Sequence, residues 1–356
     1  MTSMQRSQRT LFAGLLATGL LSADLQAAQP DMTIDAKVRQ EVISNTIKYL
    51  GDNYVFPDMA SKLVQDLKAR QQRGEYDKLT SATEFAKQLT ADMQALSRDK
   101  HLNARYRHEP IADDRTTASE SAEELARYAR QARAHNYGFS KIERLPGNVG
   151  YLKLDGFEDP SVGGATATAA MNLLANSEAL IVDLRENGGG SPEMVQWITS
   201  YLFGTTPVHL NDLYYRPQNE TTQYWTHAHV PGARMADTPV YVLTAKRTFS
   251  AAEEFSYNLK NLKRATLVGE TTGGGAHPGD RYRAHAHFSV FVPTGRAINP
   301  ISKTNWEGTG VVPDVAVPAA EALTTAHKLA LEKLAKDGRD EPARKMAAMA
   351  LSKPAN

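Results

Sequence analysis

Ala179-Leu180-Ile181-Val182-Asp183-Leu184 runs without a break into Arg185-Glu186-Asn187-Gly188-Gly189-Gly190. A short, unbroken apolar run with no polar alternation is what a strand covered on both faces requires. The triple glycine ends that strand and precedes a helical pattern from Pro192 to Leu202. Working outward, Val149-Gly150-Tyr151-Leu152-Lys153-Leu154 is strand-like, and Val240-Tyr241-Val242-Leu243-Thr244 reads as another buried strand. An amphipathic helix through Phe255, Leu259 and Leu262 follows that strand. Ala265-Thr266-Leu267-Val268-Gly269 is a further strand, Phe288-Ser289-Val290-Phe291-Val292 is hairpin-like, and a closing strand is expected near Val311-Val312. Strands alternating with helices predict an α/β domain, here spanning 100–320.

Three helical patterns precede it. Ile34, Val38, Val42, Ile43, Ile47 and Leu50 share one helical face, and Met59, Leu63 and Leu67 continue at four-residue spacing after Pro57. Phe85, Leu89, Met93 and Leu96 repeat the pattern after Ser81, so 32–99 reads as a small helical domain that walls or caps the α/β domain. The polar stretch 111–135 reads as an exposed helix, and 321–356 as a tail of surface helices.

The 356 residues are 41% hydrophobic and 23% charged with a net charge of +1, which leaves no electrostatic footprint for nucleic acid or an anionic membrane. No internal run is long and apolar enough for a membrane span. At the N-terminus, Arg6 and Arg9 precede the apolar run Leu11 to Leu21, and small residues end at Ala27-Ala28. That order predicts a secretory signal peptide over 1–27 and a periplasmic or secreted protein. The chain has no cysteine, which excludes disulfides, thiol nucleophiles and thiolate metal sites. Nothing in the composition calls for a metal or a cofactor.

Thr248-Phe249-Ser250-Ala251-Ala252-Glu253-Glu254-Phe255 places a serine at a strand-to-helix turn. Its hydroxyl lies near unpaired helix N–H groups and the positive end of the helix dipole, a suitable place for a nucleophile whose attack creates an oxyanion. Ser250 with Glu253 three residues on is equally a capping box, a helix start with no chemistry in it. The triple-glycine loop, and a second cluster at Gly273-Gly274-Gly275 after the Ala265 strand, stand where α/β enzymes build their sites. The triple-glycine loop after Asp183 is not a phosphate loop, because no Gly-Lys-Ser/Thr follows. A serine hydroxyl needs a base. Of ten histidines, His101 stands where the helical segment hands over to the α/β segment, and His277 after the second glycine cluster is its rival. His285 and His287 read as a solvated strand face. Glu307 is one candidate among 40 acids for the group that orients the base, and spacing alone does not choose.

Four motifs in one order carry a resemblance: Asp183 to Gly190, Thr248 to Phe255, Arg264 to Thr271, and Trp306-Glu307-Gly308-Thr309-Gly310-Val311-Val312-Pro313-Asp314. Together they resemble the tail-specific serine peptidases, a family that includes C-terminal processing peptidases, the tricorn core protease and interphotoreceptor retinoid-binding proteins. The initial helices are similar to the N-terminal domain of the retinoid-binding-protein-like branch. The resemblance implies a crotonase-like, Clp-protease-like ββα spiral behind the helical domain. It implies Ser250 as nucleophile and, on the tricorn-type pattern, His101 as base and Glu307 as its partner. The lysine of the processing peptidases falls on Gly275, so their serine–lysine dyad is missing. Lys100 replaces the serine that tricorn-type enzymes carry before the histidine, and a cation there would lower the pKa of His101. The oxyanion donors implied are the N–H of Ala251 and of Gly189 or Gly190. Fewer than 50 residues separate His101 from Val149, which leaves no room for a peptide-binding PDZ module.

These readings converge on an exported serine endopeptidase acting on unfolded polypeptides or peptides, without nucleic acid or a membrane span after signal removal. Two alternatives use the same scaffold: a non-catalytic binding protein for apolar, retinoid- or lipid-like ligands, and a serine esterase. The presence of Ser250, His101 and Glu307 together argues against a pure binder.

Overall fold

The computed structural model describes residues 30–111 and 122–352; the signal-peptide stretch lies outside them. Three helices open the described chain, α1 (Ala36–Asn53), α2 (Pro57–Gln72) and α3 (Ala82–Ser97), followed by strand β1 (Asn103–Tyr106) and helix α4 (Ala122–Ala134). Next come β2 (Phe139–Leu145), β3 (Val149–Leu154), α5 (Pro160–Leu174), β4 (Ala179–Asp183) and α6 (Pro192–Ser200). The hairpin β5 (His209–Tyr215) and β6 (Glu220–Trp225) leads to β7 (Val240–Thr244), α7 (Ala251–Asn261) and β8 (Ala265–Gly269). The chain ends with β9 (Gly279–His285), β10 (Phe288–Pro293), β11 (Gly295–Ile298), β12 (Val315–Ala316), α8 (Ala322–Asp337) and α9 (Glu341–Leu351).

Helix starts follow local chemistry. Asp35 caps α1 by accepting from the Val38 N–H, and Ser81 caps α3 through Glu84 N–H. Ser191 caps α6 ahead of Pro192, whose missing N–H costs nothing in a first turn.

Six strands form one sheet in the order β12-β8-β7-β4-β3-β2, parallel except for β2 against β3. Every residue of β4 and β7 is buried, as an unbroken apolar run requires. Alternate residues feed two cores. Leu180, Val182, Val240 and Val242 pack with Phe255 and Leu259 of α7 on one face. Ala179, Ile181, Tyr241 and Leu243 pack on the other against Ala322, Ala326, Ala330 and Leu334 of α8. The C-terminal helices are therefore not a surface tail; α8 covers the second face of the sheet. The closing strand falls at Val315–Ala316 rather than Val311-Val312.

The first three helices do not close a core among themselves. Val42, Leu50, Leu63, Phe85 and Leu89 share one core with Ala104 and Tyr106 of β1 and with Phe288, Val290 and Val292 of β10. β1, β10 and β9 form a separate three-stranded sheet, so residues nearly two hundred positions apart build one unit. The parallel pairing of β4 with β7 sets Asp183 beside Leu243. The glycine loop and the turn before α7 therefore leave the sheet at neighbouring points, on the side where open α/β sheets bind ligands.

Candidate active site

Hydrogen bonds fix the two exits to each other. Thr248 Oγ1 donates to Leu184 O at 2.8 Å, and Phe249 N–H donates to Asn187 O at 3.1 Å. Ser250 then takes the N-cap position of α7 with φ +55° and ψ −122°. A left-handed φ at a residue with a Cβ costs on the order of 1–3 kcal/mol and persists only where its surroundings impose it. Here it sets a half-exposed hydroxyl at the helix N-terminus. Gly189 presses against it: a methyl on Gly189 would fall 2.7 Å from Ser250 Cβ and 3.1 Å from Ala251 N. Any side chain there would fill the space beside the hydroxyl.

The candidate oxyanion donors separate. The Gly189 N–H already donates to Asn187 Oδ1 at 2.8 Å, whereas the N–H groups of Gly190 and Ala251 have no acceptor among the described residues.

Glu253 does more than close a capping box. Fully buried, it accepts from Ser250 N–H at 3.0 Å, Gly275 N–H at 2.8 Å, Gly274 N–H at 2.6 Å and the Thr272 hydroxyl at 2.5 Å. One carboxylate thus ties the second glycine cluster to the helix that starts at Ser250. The sequence signal for it was the three-residue spacing from Ser250, which is indistinguishable from an ordinary cap.

His101 is 8% exposed, with its ring 4.6 Å from that of Phe249 and 6.0 Å from that of Phe291. Both ring nitrogens are buried without a hydrogen-bond partner. Burial drives its pKa down to about 4, opposed by the Asp99 carboxylate and reinforced by His277. The imidazole is therefore neutral at physiological pH, as a base must be. Lys100 is not the cause: its ammonium donates to Gly273 O at 2.5 Å and clamps the second glycine loop.

The missing lysine has a steric counterpart. A Cβ on Gly275 would fall 2.2 Å from Phe249 Cζ and 2.7 Å from His101 Cε1, so the histidine and the phenylalanine occupy the space a lysine stem would need. Gly275→Ala is expected to destabilise the fold by about 1–3 kcal/mol through overpacking. It is also expected to displace His101, so that thermal unfolding and peptide turnover both fall. Wild-type values of both in that variant would refute the packing argument.

Glu307 lies one step further out. Its Oε2 accepts from Ala276 N–H at 2.5 Å and stands 3.4 Å from His277 Nδ1, and its Oε1 is buried without a partner. His277 Nδ1 is 2.8 Å from Asp99 Oδ2, which also accepts from the Tyr54 hydroxyl at 3.1 Å. Asp99 Oδ1 accepts the backbone N–H of His101 at 3.0 Å. The structure thus brings Ser250, Ala251 and the glycine loop together and stacks His101 on the residue before Ser250. It does not link Ser250, His101 and Glu307 by hydrogen bonds. Glu307 and Asp99 engage His277, the rival histidine, instead.

Electrostatics follow this arrangement. For Asp99, burial pushes the pKa up, but the hydrogen bond and charge of His277 outweigh it and hold the group below its ordinary value. Burial pulls His277 down, and Asp99 more than reverses this, so His277 is raised. Burial, then the Asp99 charge, push Glu307 up to about 7, and burial pushes Glu253 to about 7 and Glu254 to about 8. Carboxyls raised above their unfolded values bind more protons folded than unfolded. Their stabilisation is complete below about 4.5 and is lost as pH rises through 7 to 8. The depressed His101 opposes this only between about 4 and 6.5. Unfolding temperature is therefore expected to fall from pH 6.5 to 8.5; a flat or rising curve would contradict these assignments.

Asp99, His277 and Glu307 offer three donor atoms within 4.8 Å of one another, the one such group among the described residues. Asp99 Oδ2 already meets the Tyr54 hydroxyl and His277, and the Arg296 charge acts on the same histidine. A cation would have to displace those hydrogen bonds beside an existing positive charge, so the cluster fits a hydrogen-bonded network better than a metal site.

Comparisons with known proteins bear on this arrangement. The family model described as peptidase family S41 matches residues 148–317, and the N-terminal domain of Peptidase_S41 in eukaryotic IRBP matches residues 22–135. The chain is 29% identical over 187 residues to carboxyl-terminal-processing peptidase 2, chloroplastic, of Arabidopsis thaliana. That match takes in 50% of this chain but 35% of the relative, so the chain spans about a third of that protein's length. Among solved structures, mature CPAF complexed with lactacystin superposes with a TM-score of 0.56 at 13% identity, covering 89% of this chain and 100% of that one. The tricorn protease gives 0.51 at 14% identity, covering 88% of this chain and 37% of that one. At such identities these two show a shared fold, the α/β class with its helical N-terminal region. The two family matches lie in tandem, one on the helical segment with β1, the other on the sheet that carries Ser250 and both exits around it. The chain belongs to peptidase family S41.

Proposed function

We propose that this protein is a serine endopeptidase that hydrolyses unfolded polypeptides or peptides, with Ser250 as its nucleophile. The observation that carries the reading is the strained backbone of Ser250 at the start of α7, with Gly189 packed against it. Strain of this kind persists only where the surrounding structure holds it, and at a helix-start serine it sets the position of the hydroxyl. His101 is the base: it is buried, neutral and stacked on Phe249, and its unbonded nitrogens leave it free to accept the Ser250 proton once substrate binding turns the ring. Glu307 orients that base when the ring turns. Gly190 and Ala251 donate to the tetrahedral oxyanion, where losing one donor costs about 3 kcal/mol.

The bound substrate closes the sequence of steps. Ser250 Oγ bonds to the scissile carbonyl carbon while its proton passes to His101. The imidazolium returns that proton to the leaving amine as the C–N bond breaks; water, deprotonated by His101, then bonds to the acyl carbon, and the bond to Ser250 Oγ breaks as the imidazolium returns the proton to that oxygen.

Export to the periplasm or beyond the cell belongs to the same reading and rests on the signal-like N-terminus. Among the described residues, no helix is long and apolar enough to cross a membrane. The test is a fluorophosphonate probe with tryptic mapping. Covalent label on Ser250 is expected, and a folded protein that takes up no label while binding a retinoid or fatty acid would replace the peptidase with a binder.

A further inference from the structure

Glu254 is a buried carboxyl that the mechanism leaves unused. It lies one helical turn after Ser250, and its N–H donates to the Ser250 carbonyl at 2.9 Å. Only 5% of it is exposed, and the groups that act on its carboxyl come from three elements: Asn211 of β5, Asn258 of α7 and Glu193 of α6. Both asparagines are fully buried, yet Asn211 Oδ1, Asn211 Nδ2 and Asn258 Nδ2 have no hydrogen-bond partner among the described residues. The two amides therefore stand by the carboxyl without completing bonds to it. Its neighbour Glu253 is the contrast, because that carboxylate collects donors from Ser250, Thr272, Gly274 and Gly275.

The charges around Glu254 have one sign. Glu193, exposed at the start of α6, accepts from Ser191 Oγ at 2.7 Å and from the Tyr224 hydroxyl at 2.9 Å. Tyr224 on β6 and Tyr215 on β5 are both raised, by burial first and then by Glu193, and Asp280 on β9 adds to the effect on Tyr215. No cation acts on Glu254 among the described residues. An ionised carboxylate there would be buried, uncompensated and near a second negative charge, so the packing favours the neutral acid. Burial, opposed by Asn211 and reinforced by Glu193, accordingly pushes its pKa up to about 8.

We propose that Glu254 is a positioning residue that holds Ser250 in its strained conformation only while its own carboxyl is protonated, so that ionisation of this one group sets the alkaline limit of catalysis. The left-handed backbone of Ser250 persists only while its surroundings impose it. A charge on Glu254 is relieved by carrying the carboxylate toward water. That movement draws the first turn of α7 away from α6 and β5 and releases the constraint on Ser250. The catalytic consequence rests on the peptidase reading above; the proton-dependent packing of α7 does not.

Two readouts test this. The first is kcat on a peptide substrate as pH rises. Wild type is expected to lose about tenfold per pH unit above a limb at about pH 8. Glu254→Gln keeps the shape of the neutral acid, so it retains wild-type kcat below the limb and no longer shows the limb. Glu193→Gln, an exposed change that covers the case in which the Glu254 variant fails to fold, removes the neighbouring charge and moves the limb to lower pH. The second readout is hydrogen exchange of the α7 amides, corrected for the intrinsic rate, which needs no turnover. Protection is expected to fall about tenfold or more across the limb in wild type and to stay constant in Glu254→Gln. A limb at the same pH in wild type and both variants, or equal α7 protection in wild type and Glu254→Gln at every pH, overturns the proposal. Proton-dependent protection in a chain that cleaves nothing keeps the packing device and removes the peptidase; cleavage with an unmoved limb does the reverse.

Discussion

Ser250→Ala is expected to lower kcat on a peptide substrate by roughly 10⁴- to 10⁶-fold, the range for loss of a serine nucleophile, with the fold intact. Both arms follow from the local structure. The hydroxyl is half-exposed and fills no core, so its removal leaves no cavity. The backbone penalty at φ +55° is the same for alanine as for serine, so thermal unfolding stays within a few degrees, under about 1 kcal/mol for a chain this size. Ser250→Gly sharpens the test. Glycine takes a left-handed φ without penalty, so that variant is expected to be equally inactive yet more stable by about 1 kcal/mol. Stability gained together with activity lost is the mark of strain held for function. Residual turnover within tenfold of wild type in either variant would remove Ser250 from the mechanism.

His101→Ala is expected to cost roughly 10²- to 10⁴-fold in kcat, the usual worth of a general base. His277→Ala is the decisive comparison, because His277 holds the acid partners that His101 lacks. With His101 as base, the His277 change acts only through Asp99 and Glu307, and its loss is at least tenfold smaller. The pH profile separates the two histidines without mutation. Burial places His101 at about 4, whereas Asp99 raises His277 above its ordinary 6.5. The acid limb of kcat/KM reports the free enzyme's base. It is therefore expected near pH 4 to 5 rather than near neutrality. An acid limb at 7 with a larger loss in His277→Ala would transfer the role of base to His277.

The fold was legible where periodicity is unambiguous. β4 and β7 are unbroken apolar runs, and α1 to α3 repeat at helical spacing, so pattern alone places them. The β5–β6 hairpin went unread because β6 is exposed along most of its length and carries no alternation. Helix α5 was hidden by its glycines and small residues, which obscure an apolar stripe. The C-terminal helices looked like surface because alanines at 322, 326 and 330 give a weak signal, although they pack flat against the sheet.

The candidate site divides along the same line. Sequence alone determined that a serine starts a helix after a buried strand, that glycines follow two strand ends, and that no cysteine is present; the resemblance added that Gly275 stands where the processing peptidases carry their lysine. The serine and glycine positions are properties of neighbouring residues, and short-range geometry fixes them. Only the tertiary structure decided the surroundings of Ser250. It set the left-handed backbone there, put Gly189 against it, filled the place of the lysine with His101 and Phe249, and gave Asp99 and Glu307 to His277. His101 and Glu307 arrive on segments whose positions follow from β1, β10 and the Trp306 indole bonded to Gly275 O. Such long-range packing has no counterpart in spacing along the chain, because burial and contact between distant side chains exist only once the sheet and its two flanking cores have formed.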